Sequence, residues 1–180
     1  MARTDSDAAL VALARRGDRD GLARLVQRCW PVAWKAAFAV TLDRPLADDV
    51  AQEAVERALA SLDRFDSQRP LDPWVRRIAV NRALDEVRRE RRASAHAAAA
   101  AAERRAWHDD ADHASAALAD AVAALPADRR VAVVLHYWLD YGIEEIAQLV
   151  GVPVGTISSR LSRARAELRQ AIEERGEDAA

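Results

Sequence analysis

Between residues 93 and 117 the sequence contains almost no large apolar side chain, and this stretch limits what the rest of the chain can form. It is rich in alanine, with histidine and aspartate interspersed, and only Trp107 offers a large surface to bury. A segment that buries little apolar surface cannot offset the entropy lost on folding. We therefore predict a flexible linker at 93–117 that separates two small domains, at 1–92 and 118–175.

Both flanking segments repeat apolar residues at the spacing of an α-helix. The sequence has only 6 Gly and 6 Pro, and aromatic residues make up 5% of it, which favours helices over strands. Breaks at 17–18, 43–45 and 67–73 divide the first domain into about four helices. The predicted fold class is all-α, with two small helical domains.

The cysteine content and hydropathy point to a reducing compartment. Cys29 is the single cysteine, so neither an intramolecular disulfide nor a thiolate zinc cluster is available, and we expect it to be a small buried hydrophobe. No apolar run approaches the roughly 18 residues that a membrane span requires. We expect a cytoplasmic protein with no membrane insertion, no metal and no cofactor.

The charges are segregated along the chain. The net charge of −2 argues against a protein that coats nucleic acid nonspecifically. Arginines cluster at 82–92 and 160–169, whereas acidic residues gather at 48–56. This distribution favours a protein that binds DNA on one side and a protein partner on another.

The second domain has the pattern of a helix-turn-helix. Residues 143–150 read as a short helix, 151–154 as a sharp turn and 155–172 as a longer helix. Gly151 accepts a left-handed backbone at the turn, and Ala147 is small enough to let two helices approach. The preceding run at 131–139 is apolar nearly all round and is predicted to be a buried helix, with His136 and Trp138 as packing residues.

The longer helix is predicted to have an apolar stripe and a polar face. The stripe consists of Ile157, Leu161, Ala164, Leu168 and Ile172. The polar face consists of Ser158, Ser159, Arg160, Ser162, Arg163 and Arg165. Hydroxyls interleaved with guanidinium groups suit the DNA major groove, where arginine pairs with guanine. The alternative is an ordinary solvated helix face.

In the first domain, a helix at 45–62 has an acidic face. Its predicted buried stripe is Leu46, Val50, Val55, Leu59 and Leu62. Asp49, Gln52, Glu53 and Glu56 continue the polar face past the first turn, where the helix dipole no longer favours acids. A basic partner protein would explain this bias, and a solvated surface is the alternative.

The next helix, predicted at 73–92, has a face suited to unpaired DNA. At 100° per residue, one stripe contains Trp74, Arg77, Asn81, Asp85, Arg88 and Arg92. Aromatic rings stack on bases, guanidinium groups hold phosphates, and amides read exposed base edges. Trp74 could equally be a core residue, because tryptophan is usually well buried.

The order of these motifs resembles the extracytoplasmic-function (ECF) group of the sigma-70 family. The segment LADDVAQEAVERALASLDRFDSQRPLDPWVRRIAVNRALDEVRRERR is similar to the family's region 2. The segment LPADRRVAVVLHYWLDYGIEEIAQLVGVPVGTISSRLSRARAELR is similar to its region 4. The resemblance implies a sigma factor that joins the bacterial RNA polymerase core, through its β and β′ subunits, to promoter DNA, and it leaves room for an anti-sigma partner.

The resemblance also implies roles for particular residues. The segment implied to dock on the polymerase β′ subunit contains Asp48, Asp49, Gln52 and Glu53. The loop and helix implied to capture a flipped base and hold the melting strand of the −10 element contain Phe65, Asp66, Ser67, Gln68, Arg69, Leu71, Trp74, Arg77, Asn81 and Arg88. The helix implied to read the −35 element contains Gly155, Thr156, Ser158, Ser159, Arg160 and Arg163.

The sequence departs from the family pattern at two places and leaves two other functions open. Ser158 stands where many relatives have lysine, and Asp140 is the expected substitute for the usual hydroxyl cap of the first motif helix. A stand-alone helix-turn-helix regulator is one alternative function. A metal hydrolase is the other and would use His108, Asp109, Asp110, Asp112 and His113, but an alanine-rich linker does not preorganise ligands.

Overall fold

The computed structural model describes residues 6–94 and 113–178, with side chains at 6–89 and 118–173. The chain divides into two compact units, Met1–Ala93 and Ser94–Ala180. The described residues are helical and contain no strand, which confirms the all-α fold class. Most of the predicted linker, 95–112, lies outside the described residues.

The described residues of the first unit form four α-helices and one short 3₁₀ helix. The helices are α1 (Asp7–Arg15), α2 (Arg19–Thr41), α3 (Arg44–Ala60) and α4 (Leu71–Ser94), with the 3₁₀ helix (Leu62–Arg64) between α3 and α4. Residues 65–70 connect the 3₁₀ helix to α4 and are called the connecting loop below. Four helices match the predicted number, although α4 begins two residues earlier than expected.

Local side chains define where these helices begin. The carboxylates of Asp18 and Asp43 each accept a hydrogen bond from the backbone of the following first turn, at 2.6 and 2.9 Å. Such bonds satisfy N–H groups that have no partner within the helix. Pro45 follows in the first turn of α3, where its missing N–H costs nothing.

The core of the first unit is built largely from alanine and valine. The alanines where α2 and α3 face each other are buried, and small side chains let these two helices pack closely; they are Ala33, Ala36, Ala37, Ala47, Ala51, Ala54 and Ala58. Val50, Val55 and Leu62 of the predicted stripe are buried, whereas Leu46 and Leu59 are half-buried. Cys29 is also buried, as expected. Burial raises the pKa of its thiol to about 11, so the thiol is protonated at neutral pH.

In the second unit, the residues that the structure describes also form four α-helices. They are α5 (His113–Ala124), α6 (Ala127–Val133), α7 (Ile143–Val150) and α8 (Val154–Asp178), with a π-helical turn (Val134–Trp138) after α6. The bounds of α7 match the prediction, and α8 begins one residue earlier than expected. α5 begins inside the segment predicted to be a linker.

The apolar run at 131–139 does not form the single buried helix that we predicted. Residues 131–135 are buried, but the backbone then widens, and the Leu139 N–H donates to the Val134 carbonyl at 3.1 Å. This i to i−5 bond belongs to the π-helical turn, whose wider spacing shifts Tyr137 and Trp138 away from the buried face. Tyr137 and Trp138 are therefore exposed, and the prediction of Trp138 as a packing residue is wrong. His136 is half-buried and hydrogen-bonds to the Tyr141 carbonyl at 3.0 Å.

The expectation that Asp140 caps α7 is also wrong. The N-cap residue is Gly142, and its backbone N–H donates to the Glu145 carboxylate at 2.9 Å. Asp140 lies two residues earlier and has a φ of 57°, where the backbone turns before the helix begins. The backbone N–H at the start of α7 is thus bonded by a side chain of the first helical turn, and not by a side chain that precedes the helix.

Gly151 ends α7 in the left-handed conformation that the sequence predicts, with a φ of 73°. A Cβ at this position would meet nothing within 4 Å, so a substitution costs only backbone strain. We expect Gly151→Ala to lower the free energy of unfolding by about 1–2 kcal/mol, measured by urea denaturation with circular dichroism.

Gly155 provides the matched control, since it also has open space around its Cα but lies inside α8. We expect Gly155→Ala to raise the free energy of unfolding by about 0.5 kcal/mol. Equal effects of the two substitutions would contradict the explanation by backbone conformation.

Candidate nucleic-acid and protein interfaces

The acidic face of α3 is only partly available to a partner. Asp48, Asp49 and Gln52 are exposed, and the Gln52 side chain donates to the Glu56 carboxylate at 3.0 Å. Trp34 of α2 donates its indole N–H to the Asp48 carboxylate at 2.6 Å. Sequence reasoning missed Trp34, because a hydrogen bond between two helices leaves no periodic signal.

Glu53 differs from the other predicted members of this face. Its carboxylate lies 2.5 and 2.9 Å from two nitrogens of Arg82 on α4. The hydrogen bond from Arg82 lowers the pKa of Glu53, and the same bond raises the pKa of Arg82. Arg82 also pairs with Glu86, which is buried one turn further along α4. Glu53 therefore joins α3 to α4, and Glu56 takes its place among the exposed acids.

The lowered pKa gives the Glu53–Arg82 pair a defined pH dependence. A carboxylate whose pKa is below its ordinary value of 4.5 stabilises the folded state above that value, and this contribution is lost as the pH falls. The pair is partly solvated, so we expect Glu53→Gln to lower the free energy of unfolding by about 1 kcal/mol at pH 7.

We expect this difference between Glu53→Gln and the unchanged protein to shrink as the pH falls below 4.5 and through the lowered pKa of Glu53, because the folded protein then protonates the carboxylate and both proteins carry an uncharged side chain at this position. Chemical denaturation across this pH range measures the difference. Glu56→Gln is the control, since Glu56 is exposed and accepts a hydrogen bond from Gln52 of the same helix. A difference for Glu53→Gln that persists at low pH would contradict this account.

The connecting loop and its flanking residues divide into buried anchors and an exposed tip. Phe65 and Leu71 are only 6% and 1% exposed. The Phe65 ring packs against Trp74, with 4.8 Å between ring centroids. Neither buried side chain is available to DNA, so the expectation of direct contact by these two residues is corrected: they hold the loop in place.

The tip of the loop is polar and accessible. Asp66, Gln68 and Arg69 are exposed, and Ser67 is half-buried. The Asp66 carboxylate accepts from the Gln68 backbone at 3.0 Å and lies 3.4 Å from Arg69. These short-range bonds shape the loop and leave amide, hydroxyl and guanidinium groups at the surface.

The predicted DNA-facing stripe of α4 lies at the surface. Arg77 and Asn81 are exposed, and Trp74 is half-buried because one side of its ring packs on Phe65. Arg88 is half-buried and pairs with Asp85 at 3.0 Å, so part of its charge is neutralised. An exposed amide and an exposed guanidinium one turn apart are suited to holding a single strand. The side chain of Arg92 lies outside the described residues.

The long helix α8 has the expected buried stripe over its first part. Ile157, Leu161 and Ala164 are buried, whereas Leu168 is half-buried and Ile172 is 48% exposed. The end of the predicted stripe is not buried, because Leu168 and Ile172 line a groove beside Leu118 and Val122 of α5. The buried residues fix which face of α8 points outward.

The outward face of α8 contains most of the residues expected to read DNA. Gly155, Ser158, Ser159 and Arg163 are exposed, and Thr156 is half-buried. The hydroxyls of Ser158 and Ser159 donate to carbonyls of the preceding turn, at 3.3 and 2.9 Å, and keep lone pairs free to accept.

Arg160 was expected to be exposed on this face, but its side chain is only 20% exposed. Its guanidinium lies 3.2 Å from the Asp128 carboxylate of α6. Arg160 therefore ties α8 to α6, and Arg163 is the more accessible guanidinium for DNA. Asp128 was missed by sequence reasoning because it lies in a different helix.

Neither a metal site nor a membrane span is found in the part of the chain that the structure describes. Within 6–94 and 113–178, no cluster of histidine, cysteine and acidic side chains is arranged to hold a metal ion. No helix in these ranges is both long and apolar enough to cross a bilayer. His108, Asp109, Asp110 and Asp112 of the metal-hydrolase alternative lie outside the described residues.

Comparison with known proteins places both units in one family. Residues 25–93 match the family described as sigma-70 region 2, and residues 115–168 match the family described as sigma-70 region 4. The ECF RNA polymerase sigma factor SigM of Mycobacterium tuberculosis is 33% identical over 165 residues, which cover 91% of this chain and 83% of that protein. SigW of Bacillus subtilis, also an ECF sigma factor, is 28% identical over 170 residues, which cover 87% of this chain and 91% of that protein.

Solved structures agree with this assignment. CnrH, in complex with the cytosolic domain of CnrY, has a TM-score of 0.55 and 26% identity and covers 94% of this chain and 99% of its own. The sigma factor RpoE of Bartonella quintana, in complex with the anti-sigma factor NepR, has a TM-score of 0.59. Its 24% identity, over 84% of this chain and 96% of its own, supports a shared fold.

Proposed function

The chain belongs to the ECF group of the sigma-70 family and is an RNA polymerase sigma factor, and we propose that it binds core polymerase through α3 and promoter DNA through α4 and α8. The observation that carries this proposal is the separation of two kinds of surface within the first unit. Exposed acids lie on α3, whereas an exposed guanidinium and amide lie on α4.

In this proposal, the polymerase surface excludes Glu53, although Glu53 is one of the acidic residues of α3. It consists of Asp48, Asp49 and Gln52, with Glu56 extending it by one turn. Acidic side chains on one helix face suit a basic partner helix, such as those expected on the β′ subunit. Glu53 contributes indirectly, because it fixes α3 against α4 through Arg82.

Promoter opening follows from differential binding rather than covalent chemistry. Unstacking a base costs a few kcal/mol, and contacts that exist only with the extruded base offset that cost. The exposed tip of the connecting loop and the face of α4 supply such contacts for the −10 element. The Ser158, Ser159 and Arg163 side chains of α8 supply contacts to the −35 duplex. The chain itself then makes and breaks no covalent bond.

We also propose that the protein acts in the cytoplasm with the polymerase and that an anti-sigma partner regulates it. The neighbouring structures of CnrH and RpoE each contain a bound partner, and that of RpoE is an anti-sigma factor. A partner that covers the acidic face of α3 would compete with polymerase for the same residues.

Run-off transcription tests the proposed function. Core polymerase with the purified chain should give discrete transcripts from some fragments of the genome that encodes it, whereas core polymerase alone should not. No specific initiation on any fragment would refute the proposal. A protein that binds palindromic DNA as a dimer without core polymerase would instead support the stand-alone regulator.

A further inference from the structure

The side chain of Arg15, the last residue of α1, reaches the 3₁₀ helix and the start of the connecting loop. Its guanidinium donates to the backbone carbonyls of Leu62 at 2.8 Å and Phe65 at 2.5 Å, with a longer contact to the Asp63 carbonyl at 3.4 Å. It also donates to the Ser67 hydroxyl at 3.3 Å. One side chain therefore contacts four residues between positions 62 and 67, in the 3₁₀ helix and at the start of the connecting loop.

These bonds satisfy carbonyl groups at and just after the end of the 3₁₀ helix. The Leu62 carbonyl already accepts from the Phe65 N–H at 3.0 Å, and the Arg15 guanidinium adds a second donor there and binds the Phe65 carbonyl beyond the helix. Arginine is suited to this task because its planar fork presents five N–H donors in a fixed geometry. A lysine ammonium has three donors on one atom and cannot reach carbonyls on both sides of the loop start.

Arg15 acts together with the buried anchors at the two ends of the loop. Phe65 packs on Trp74 at the start of the loop, and Leu71 is buried where α4 begins. Between these anchors, Asp66, Gln68 and Arg69 are exposed. The exposed tip therefore belongs to a loop whose first residues are held by Arg15 of α1 and whose last residues are held by α4.

We propose that Arg15 is a positioning residue for capture of an unpaired −10 base, acting through the connecting loop without contacting DNA. This inference rests on the proposed function of the loop. A loop that is already ordered in the free protein loses less entropy on binding, so its base contacts yield more net affinity. Sequence spacing gives no indication of this role, because α1 lies outside the segment that resembles region 2.

The test uses polymerase holoenzyme and a random-sequence pool of single-stranded DNA. Holoenzyme with the unchanged chain should enrich a short base motif. Holoenzyme with Arg15→Lys should assemble normally but bind the enriched strand roughly tenfold more weakly and select a less sharp motif. Ala23→Gly, at an exposed site on α2, is the stability control and should lower the melting temperature without changing the motif.

Salt dependence separates positioning from direct phosphate contact. If Arg15 bound a phosphate, Arg15→Gln would reduce the salt slope of single-strand binding by about 0.7. The positioning role predicts weaker binding with an unchanged slope. A reduced slope, or full affinity and an unchanged motif with Arg15→Lys, would overturn the inference and leave the proposed function intact. Failure of the unchanged holoenzyme to enrich any motif would overturn both.

Discussion

Replacing Asp49 with arginine is expected to weaken assembly with core polymerase roughly a hundredfold, which corresponds to about 3 kcal/mol of binding free energy. Asp49 is exposed on α3, between Asp48 and Gln52 on the proposed polymerase surface. The substitution replaces an attraction to a basic partner helix with a repulsion. It should not unfold the first unit, because arginine is a better helix former than aspartate.

Competition binding with labelled core polymerase measures this effect. Glu173→Arg is the matched control, since it makes the same change of charge at an exposed position on α8 of the other unit. Asp49→Arg should lose binding and Glu173→Arg should retain it, with both proteins helical by circular dichroism. Equal losses would indicate a general charge effect, and normal assembly of Asp49→Arg would remove α3 from the polymerase surface.

The helices were predictable from the sequence because their signals are local. The apolar spacing, Gly151 and Pro153 defined α7 and the start of α8 to within a residue. Asp43 and Pro45 marked the beginning of α3 in the same way. Each of these signals acts within one or two helical turns and does not depend on what the helix packs against.

The state of the charged residues was not predictable, since it depends on contacts between helices. Glu53 and Arg160 both lie on faces that the helical period assigns to solvent. In the fold, Arg82 pairs with Glu53 and Asp128 pairs with Arg160. Periodicity gives the direction of a side chain from its own helix axis, and it does not show whether a second helix supplies a counter-charge there.

The burial of tryptophans could not be predicted for a related reason. The chain has 5 tryptophans, and their hydrophobicity predicts burial without regard to position. Trp138 lies in a π-helical turn that places it at the surface, and Trp74 is half-covered by Phe65. Whether such a ring is buried or exposed depends on the hydrogen-bond register of one helical turn or on one neighbouring side chain. Neither of these leaves a pattern in the sequence.

We expect the second large effect in the binding of duplex DNA, where Arg163 and Arg160 of α8 should behave differently. Arg163 is exposed on the outward face of α8, and Arg160 is held by Asp128. We expect Arg163→Ala to cost about 1–3 kcal/mol of affinity for the −35 duplex, because a bidentate contact between arginine and guanine contributes about that much. The loss should appear in holoenzyme bound to a promoter that the unchanged protein selects from random duplex DNA.

Arg160→Ala distinguishes base reading from helix positioning. It removes the ion pair with Asp128, so it should lower the melting temperature of the second unit, whereas Arg163→Ala should leave that temperature unchanged. If Arg163 reads a base, Arg163→Ala should also relax sequence selection at one position of the upstream element. A uniform loss across all sequences would assign Arg163 to a phosphate. An unchanged affinity would mean that α8 meets DNA through its serines and Gly155, with no contribution from this guanidinium.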